Sequence, residues 1–244
     1  MSRTPRVFVA EPLVEGRRLR LEGEAAAHLG RVLRVRAGTP VVLFDGSGPE
    51  FDGEVLGATR RVVELAVGTR FTADRESALE LVLLQGVCRN ERMDWVVRKA
   101  TELGVTAIRP VLAERSVVKL DAARAANRLE HWRAIVVSAC EQCGRNVLPT
   151  LLEPLPVAAA LAAHAGASGV LLDPEASGGP ETLRAPAGPL CLLVGPEGGL
   201  DTHERAAARA AGYTGIRLGP RILRTETAAL TGVTLLQARF GDLR

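Results

Sequence analysis

The sequence predicts an α/β protein in two parts, a small N-terminal β-barrel followed by a larger domain built on a mostly parallel sheet. Three observations carry this. Up to about residue 70, short apolar strands are separated by turn residues and interrupted by one brief helix. From about residue 78, strand-length apolar runs alternate with runs of helical period, the pattern of a parallel sheet covered by helices on both faces. Finally, Leu190-Cys191-Leu192-Leu193-Val194 feeds Gly195-Pro196-Glu197-Gly198-Gly199 and then a helix start, which places a glycine-rich loop where open parallel sheets bind ligands.

In the first part, strands are expected at 6–10, 17–21, 41–44, 51–56 and 62–67, with a short helix over 25–33. Asp45-Gly46-Ser47-Gly48 reads as a hairpin, because glycine tolerates the positive φ such turns need. The stretch 71–77 reads as the linker, so the chain divides into residues 1–72 and 73–244. In the second part, 79–84 is a buried strand. Asn90 is read as the cap of a helix whose Met93, Val96, Val97, Ala100 and Leu103 fall at helical spacing, with Gly104 at its stop. The next strand is 106–112, and a long helix runs from Asp121 to near Gly144. Its stripe Ala126, Leu129, Trp132, Ile135, Val136 and Ala139 suits a dimer seam and an intradomain core equally. Pro149 and Pro154 mark a loop before the apolar stretch 157–163. Strands follow at 169–172, 190–194 and 215–218, the last two leading into helices.

Nearly half of the 244 residues are apolar, enough for a sizeable core. No stretch reaches the ~20 apolar residues of a membrane span, and the opening Met1-Ser2-Arg3-Thr4-Pro5-Arg6 lacks a secretory apolar run, so a cytoplasmic location is expected. Cys140 and Cys143 form a CxxC with no second pair or histidines at matching spacing. No metal is expected, and the two read as cysteines one turn apart on a helix. Of 31 basic residues only Lys99 and Lys119 are lysine. An arginine bias follows genome base composition first of all, yet it suits phosphate, which guanidinium binds bidentately. A net charge of +3 is too mild to establish nucleic-acid binding by itself.

Two loops carry the chemistry. In the first, adjacent glycines let backbone amides approach a ligand, and Asp201 and Glu204 have capping-box spacing for the helix behind it. The dinucleotide GxGxxG and the triphosphate GxxxxGK[ST] are both absent, and Glu197 in the loop repels a pyrophosphate but suits a positively charged ligand. In the second loop, Arg221 and Arg224 stand three apart where the chain enters the last helix, so both can face one region beside a helix N-terminus. Ordinary surface contacts of Arg224 and Glu226 account for an isolated cluster of this kind equally well.

GPEGG (195–199) and LGPRILRTETA (218–228) together resemble the paired C-terminal motifs of the RsmE family of ribosomal RNA uridine N3-methyltransferases, members of the SPOUT superfamily. HLGRVLR (28–34), RKATELGV (98–105), ERSVVK (114–119) and EQCGR (141–145) are similar to that family's blocks in the same order, so the resemblance spans nearly the whole chain. The chain departs from the pattern at Arg89-Asn90, where Lys-Gly is expected, and around Leu200 and Asp201.

The resemblance implies a PUA-like RNA-binding β-barrel at 1–72 and a SPOUT α/β methyltransferase domain at 73–244, its C-terminal part tied in a trefoil knot. General folding rules alone favour an unknotted sheet. It implies S-adenosylmethionine as cofactor, held by Leu172, Val194, Gly195, Glu197, Gly198, Gly199, Leu218, Gly219, Ile222 and Leu223, with Ile222 and Leu223 against adenine. The implied reaction methylates N3 of a uridine in small-subunit (16S) ribosomal RNA, as naked RNA or in the assembled 30S subunit. Arg221 or Arg224 is expected to stabilise the charge developing on the base, and Glu197 or Glu226 to orient it or take the proton. Arg31, Arg34 and Arg36, with Arg89, Arg92, Arg115 and Arg145, are expected to grip phosphates. A homodimer is implied. A SPOUT enzyme acting on ribose 2′-oxygen or guanine N1, and a non-catalytic RNA-binding dimer, remain open alternatives at this level.

Overall fold

The computed structural model describes residues 4–27, 29–30, 34–118 and 122–243. They fall into two compact units: residues up to Glu76 together with Cys140–Leu148, and Ser77–Ala139 together with the chain from Pro149 onward.

The first unit is a five-stranded sheet of β1 (Arg6–Phe8), β2 (Arg18–Leu21), β3 (Pro40–Phe44), β4 (Pro49–Ala58) and β5 (Val63–Thr72), in the order β1-β3-β4-β5-β2. β1 and β3 are parallel and the other pairs antiparallel. Among the described residues no ladder joins β1 to β2, and the expected small barrel takes the form of a curled sheet. Alternation along the strands sends Val7, Leu19, Val41, Leu43, Phe51, Val55, Val63 and Leu65 into one core. Gly53 lets β4 cross β3, because a Cβ there would meet Leu43 and Val41 side chains at 2.9 Å. The hairpin at 45–48 forms as expected, with Ser47 N and Oγ both bonded to Asp45 Oδ1 and Gly46 at φ +87°. The short helix is α1 (Gly23–Ala27); it begins earlier than expected, and the expected span partly lies outside the described residues.

The EQCGR block completes this unit. Glu141 accepts a hydrogen bond from the Phe8 backbone N–H at 3.0 Å. Glu50, 2% exposed, is paired with Arg6 and, at 3.1 Å, with Arg75. Arg145 was expected to grip phosphate; the structure corrects this. It is only 4% exposed, and its Nε donates to Glu76 at 2.8 Å. The cause is Gly144 at φ +97°, which ends the long helix and turns the next residue inward.

The second unit holds seven parallel strands: β6 (Leu81–Gly86), β7 (Ala107–Leu112), β8 (Thr150–Leu151), β9 (Leu155–Pro156), β10 (Ser168–Leu172), β11 (Leu190–Val194) and β12 (Tyr213–Ile216). The order is β12-β10-β11-β6-β7-β8, with β9 also on β7. β11, buried at every position, sits at the centre between β6 and β10. The helices are α2 (Asn90–Glu102), α3 (Ala122–Cys143), α4 (Val157–Ala163), α5 (Thr202–Ala210) and α6 (Thr225–Phe240).

Three expectations shift. Asn90 is the first helical residue of α2 rather than its cap; Arg89 holds the cap position, and no side chain caps it. β12 lies two residues earlier than expected, because it pairs Tyr213 with Gly169 of β10, leaving Leu218 in the loop. The loop expected after Pro149 contains the two short strands β8 and β9. On α3, Leu129, Trp132, Ile135, Val136 and Ala139 are buried within the single chain, and Ala126 is exposed. Trp132 Nε1 donates to Asp94 of α2 at 3.2 Å, which gives the stripe a core role.

Candidate functional site

The carboxyl ends of β10, β11 and β12 converge on a pocket of about 480 Å3, within the ~300–1,000 Å3 range of small-molecule sites. Leu172, Val194, Gly195, Gly199, Leu218, Gly219, Ile222 and Leu223 line it, eight of the ten residues expected to hold the cofactor. Gly199 and Gly219 bend the two loops at φ +71° and +73°, conformations that side chains resist. The other two expected residues stand elsewhere. Gly198 is pressed against the loop after β7, where a Cβ would meet the Arg115 carbonyl oxygen at 2.8 Å. Glu197 faces α2.

Hydrogen bonds knit the walls. Thr225, at the start of α6, donates from Oγ1 to the Gly195 carbonyl at 2.6 Å and accepts from Gln85 Nε2 at 2.9 Å. The expected capping box of α5 is present: Glu204 N donates to Asp201 Oδ1 at 2.7 Å, and Asp201 N to Glu204 Oε2 at 2.8 Å. Glu204 Oε1 also accepts from the Glu114 backbone N–H at 2.9 Å, tying the ERSVVK segment to the same loop. Gly86, at the end of β6, lets the first loop pass, since a Cβ there would lie 2.4 Å from Pro196 N.

Sequence reasoning missed the pocket's acidic corner. Asp173, 1% exposed and directly after β10, is paired with Arg205 at 3.4 Å and with Arg209. Arg205 also meets Glu175 at 2.7 Å, and Asp173, Glu175, Arg205 and Arg217 all line the pocket. An Asp at a strand's carboxyl end was the available signal; its partners are remote in sequence.

Behind a shared wall of Ile222, Leu223 and Thr225 lies a second, smaller pocket of about 240 Å3, also lined by Arg92, Glu197 and Arg224. Arg221 and Arg224 therefore do not face one region: Arg221 lines the larger pocket and Arg224 the smaller, because the chain is extended at Arg224 as it enters α6. Glu197 Oε1 accepts from the Arg89 backbone N–H at 3.0 Å and from Arg92 at 3.1 Å. Arg92 Nε lies 3.8 Å from Glu226 Oε1. The Oε2 atoms of Glu197 and Glu226 are shielded from solvent and have no partner among the described residues. Burial, then the negative charges of Glu197 and Glu226, push the nearby Cys88 thiol up to about 12. One arginine thus sits between two carboxylates whose remaining oxygens lack donors.

Of the other arginines expected at RNA, Arg34, Arg36, Arg89 and Arg115 are exposed, and Arg34 adopts φ +51°. Arg31 lies outside the described residues. No group of three or more His, Cys, Asp or Glu is placed to hold a metal among the described residues, and no helix there is long and apolar enough to cross a membrane.

Residues 75–237 match the family model described as RNA methyltransferase domain, and 21–67 match an RNA methyltransferase PUA domain. Ribosomal RNA small subunit methyltransferase E of Mycobacterium bovis is 34% identical over 90% of this chain and 87% of its own. The protein of that name from Buchnera aphidicola subsp. Schizaphis graminum is 30% identical over 99% of both. Among solved structures, the Neisseria gonorrhoeae enzyme of that name, bound to S-adenosyl methionine, superposes with a TM-score of 0.92 at 37% identity over 99% of this chain and 100% of its own. A Legionella pneumophila methyltransferase in complex with the same cofactor gives 0.95 at 35% identity, over 99% and 100%. With its two pockets on a parallel sheet, its paired glycine loops and these full-length relatives, the chain belongs to the ribosomal RNA small subunit methyltransferase E family.

Proposed function

We propose that the protein transfers a methyl group from S-adenosylmethionine to N3 of a uridine in small-subunit ribosomal RNA. The observation that carries this is the larger pocket: loop backbone at Gly195, Gly199 and Gly219, with apolar Leu172, Ile222 and Leu223, fits an adenosine body. The bound cofactor supplies an electrophilic methyl group on a cationic sulfur.

The chain's own residues supply the rest. N3 of uracil is a poor nucleophile until its proton leaves, so Glu197 or Glu226 takes that proton while Arg221 or Arg224 stabilises the charge on the ring. The N-terminal unit, taken as residues 1–72, holds the RNA, and residues 73–244 carry the chemistry, with the C-terminal part threaded as a trefoil knot. The exposed arginines Arg34, Arg89 and Arg115, with Arg31, hold phosphates. Ile222, apolar and 87% exposed beside the pocket, supports a homodimer in which a second copy covers it. The substrate is the rRNA, free or within the 30S subunit, and the setting is the cytoplasm.

Isothermal titration with S-adenosylmethionine, NAD and ATP, followed by nucleoside mass spectrometry of treated 30S subunits, tests this reading. Saturable binding of the first ligand alone and appearance of 3-methyluridine are expected. Failure to bind it leaves only an RNA-binding module. A 2′-O-methyl or N1-methylguanine product replaces the target.

A further inference from the structure

We infer that the smaller pocket receives the acceptor base by its imide edge, and that Arg92 is a specificity-determining residue there rather than a phosphate contact. This rests on the proposed reaction and assigns a place to its substrate. Three observations carry it. The pocket shares Ile222, Leu223 and Thr225 with the larger one, so the two lie side by side. The pocket's volume of about 240 Å3 leaves room for a single pyrimidine base. Its charged lining is Arg92, Glu197 and Arg224, two donors and one acceptor, while the Thr225 hydroxyl is already bonded to Gly195 and Gln85.

That set matches one base edge. Uracil presents carbonyl, N–H, carbonyl: two acceptors flanking one donor. The arginines give to O2 and O4, and Glu197 takes the N3–H. Cytosine offers an amino group and a bare N3, which leaves the carboxylate facing a lone pair. Guanine puts a second N–H where an arginine stands. A site built to pair with one edge rejects its mismatches by leaving polar groups unpaired.

Arg92 also positions the proton acceptor. It is bonded to Glu197 at 3.1 Å and lies 3.8 Å from Glu226, so one guanidinium fixes where the Glu197 carboxylate stands. In the reaction the N3–H bond breaks and its proton passes to Glu197. The N3 electron pair then forms the new bond to the methyl carbon, and the electrons of the broken carbon–sulfur bond neutralise the sulfur. Negative charge built up on O2 and O4 during the step is met by the two guanidiniums.

The test uses the full-length protein with undermethylated 30S subunits and saturating S-adenosylmethionine, comparing wild type, Arg92→Ala, Arg92→Gln and Arg92→Lys. Cofactor Kd should stay within about threefold while single-turnover methylation falls about a hundredfold in Arg92→Ala, the scale of losing one donor to developing charge. Arg92→Lys should recover part of the rate. Arg92→Gln, which lacks the charge, should not recover it. Near-normal turnover in Arg92→Ala, or a loss of cofactor affinity that parallels the loss of rate, overturns the assignment. Full turnover in a folded Arg92→Gln also overturns it. A wild type that makes no 3-methyluridine overturns the proposed function instead, and this assignment with it.

Discussion

Thr225 Oγ1 donates to the carbonyl oxygen of Gly195 at 2.6 Å, so the first residue of the last helix clasps the first residue of the glycine loop, thirty positions earlier. The same hydroxyl accepts from the buried amide of Gln85, so three segments meet at one oxygen. Thr225→Val keeps the shape and removes both bonds. Leaving the Gly195 carbonyl and Gln85 amide unsatisfied costs about 1–3 kcal/mol. The expected result is a lower melting temperature with a cofactor Kd weakened about tenfold, read by thermal denaturation and isothermal titration. Unchanged binding would show that the clasp does not shape the pocket.

Gly198 does not line the larger pocket, yet its substitution should reach it. An added Cβ meets the Arg115 carbonyl oxygen at 2.8 Å and the Arg115 Cβ at 2.9 Å, so the loop must shift. Overpacking of this kind costs about 1–3 kcal/mol. Gly198→Ala should weaken S-adenosylmethionine binding about tenfold and Gly198→Val should abolish it, with secondary structure by circular dichroism unchanged.

Glu50 makes the first unit acid-sensitive. Its burial acts to raise the carboxyl pKa, but hydrogen bonds from Arg75 and Arg6 outweigh it and hold the group below its ordinary 4.5. A depressed folded pKa means that the unfolded chain takes up the proton first as pH falls. The stabilisation is therefore full above 4.5 and is lost as pH drops through the lower folded value. Thermal melts in this range should show that loss, and Glu50→Gln should flatten it. The same variant strands the buried guanidinium of Arg6 at a cost of about 3–5 kcal/mol at neutral pH.

Arg145 and Arg89 should separate stability from RNA contact. Arg145→Ala removes a buried partner of Glu76 and should cost about 3 kcal/mol of stability. It should leave the salt dependence of RNA affinity per folded molecule unchanged. Arg89→Ala removes an exposed guanidinium and should lower the slope of log K against log salt by about 1. Filter binding across a salt series, beside thermal melts, distinguishes the two.

Local signals explain most of what the sequence made legible. The hydrophobic period of Met93, Val96, Val97 and Ala100 is satisfied wherever α2 packs, and the Asp201/Glu204 capping box closes within one helical turn. What escaped depends on partners remote in sequence. Arg145 reads as a surface cation because nothing near it announces Glu76, and Asp173 reads as a loop residue because Arg205 and Arg209 arrive on a later helix. Ile216 and Leu218 set the expected position of β12, but Gly169 decides the register. A Cβ there would lie 2.4 Å from the Tyr213 ring, so the bare backbone of β10 seats that tyrosine and ends the strand at Ile216. The prolines at 149, 154 and 156 hid β8 and β9, which are only two residues long and pair with β7 alone.

The central place of β11 also governs how this molecule is made. β6 is synthesised early, but Leu81 takes its partner on that side from Leu190, so one edge of an apolar strand stays open while residues 87–189 are translated. Closing a loop of that length before any contact is gained makes assembly slow and leaves a sticky intermediate. Nascent chains halted before Val194 should depend on holdase chaperones, and refolding from denaturant should compete with aggregation in proportion to protein concentration. The strand that carries the cofactor loop is thus the last piece of the sheet's centre to arrive, so ligand-binding competence marks the completion of folding.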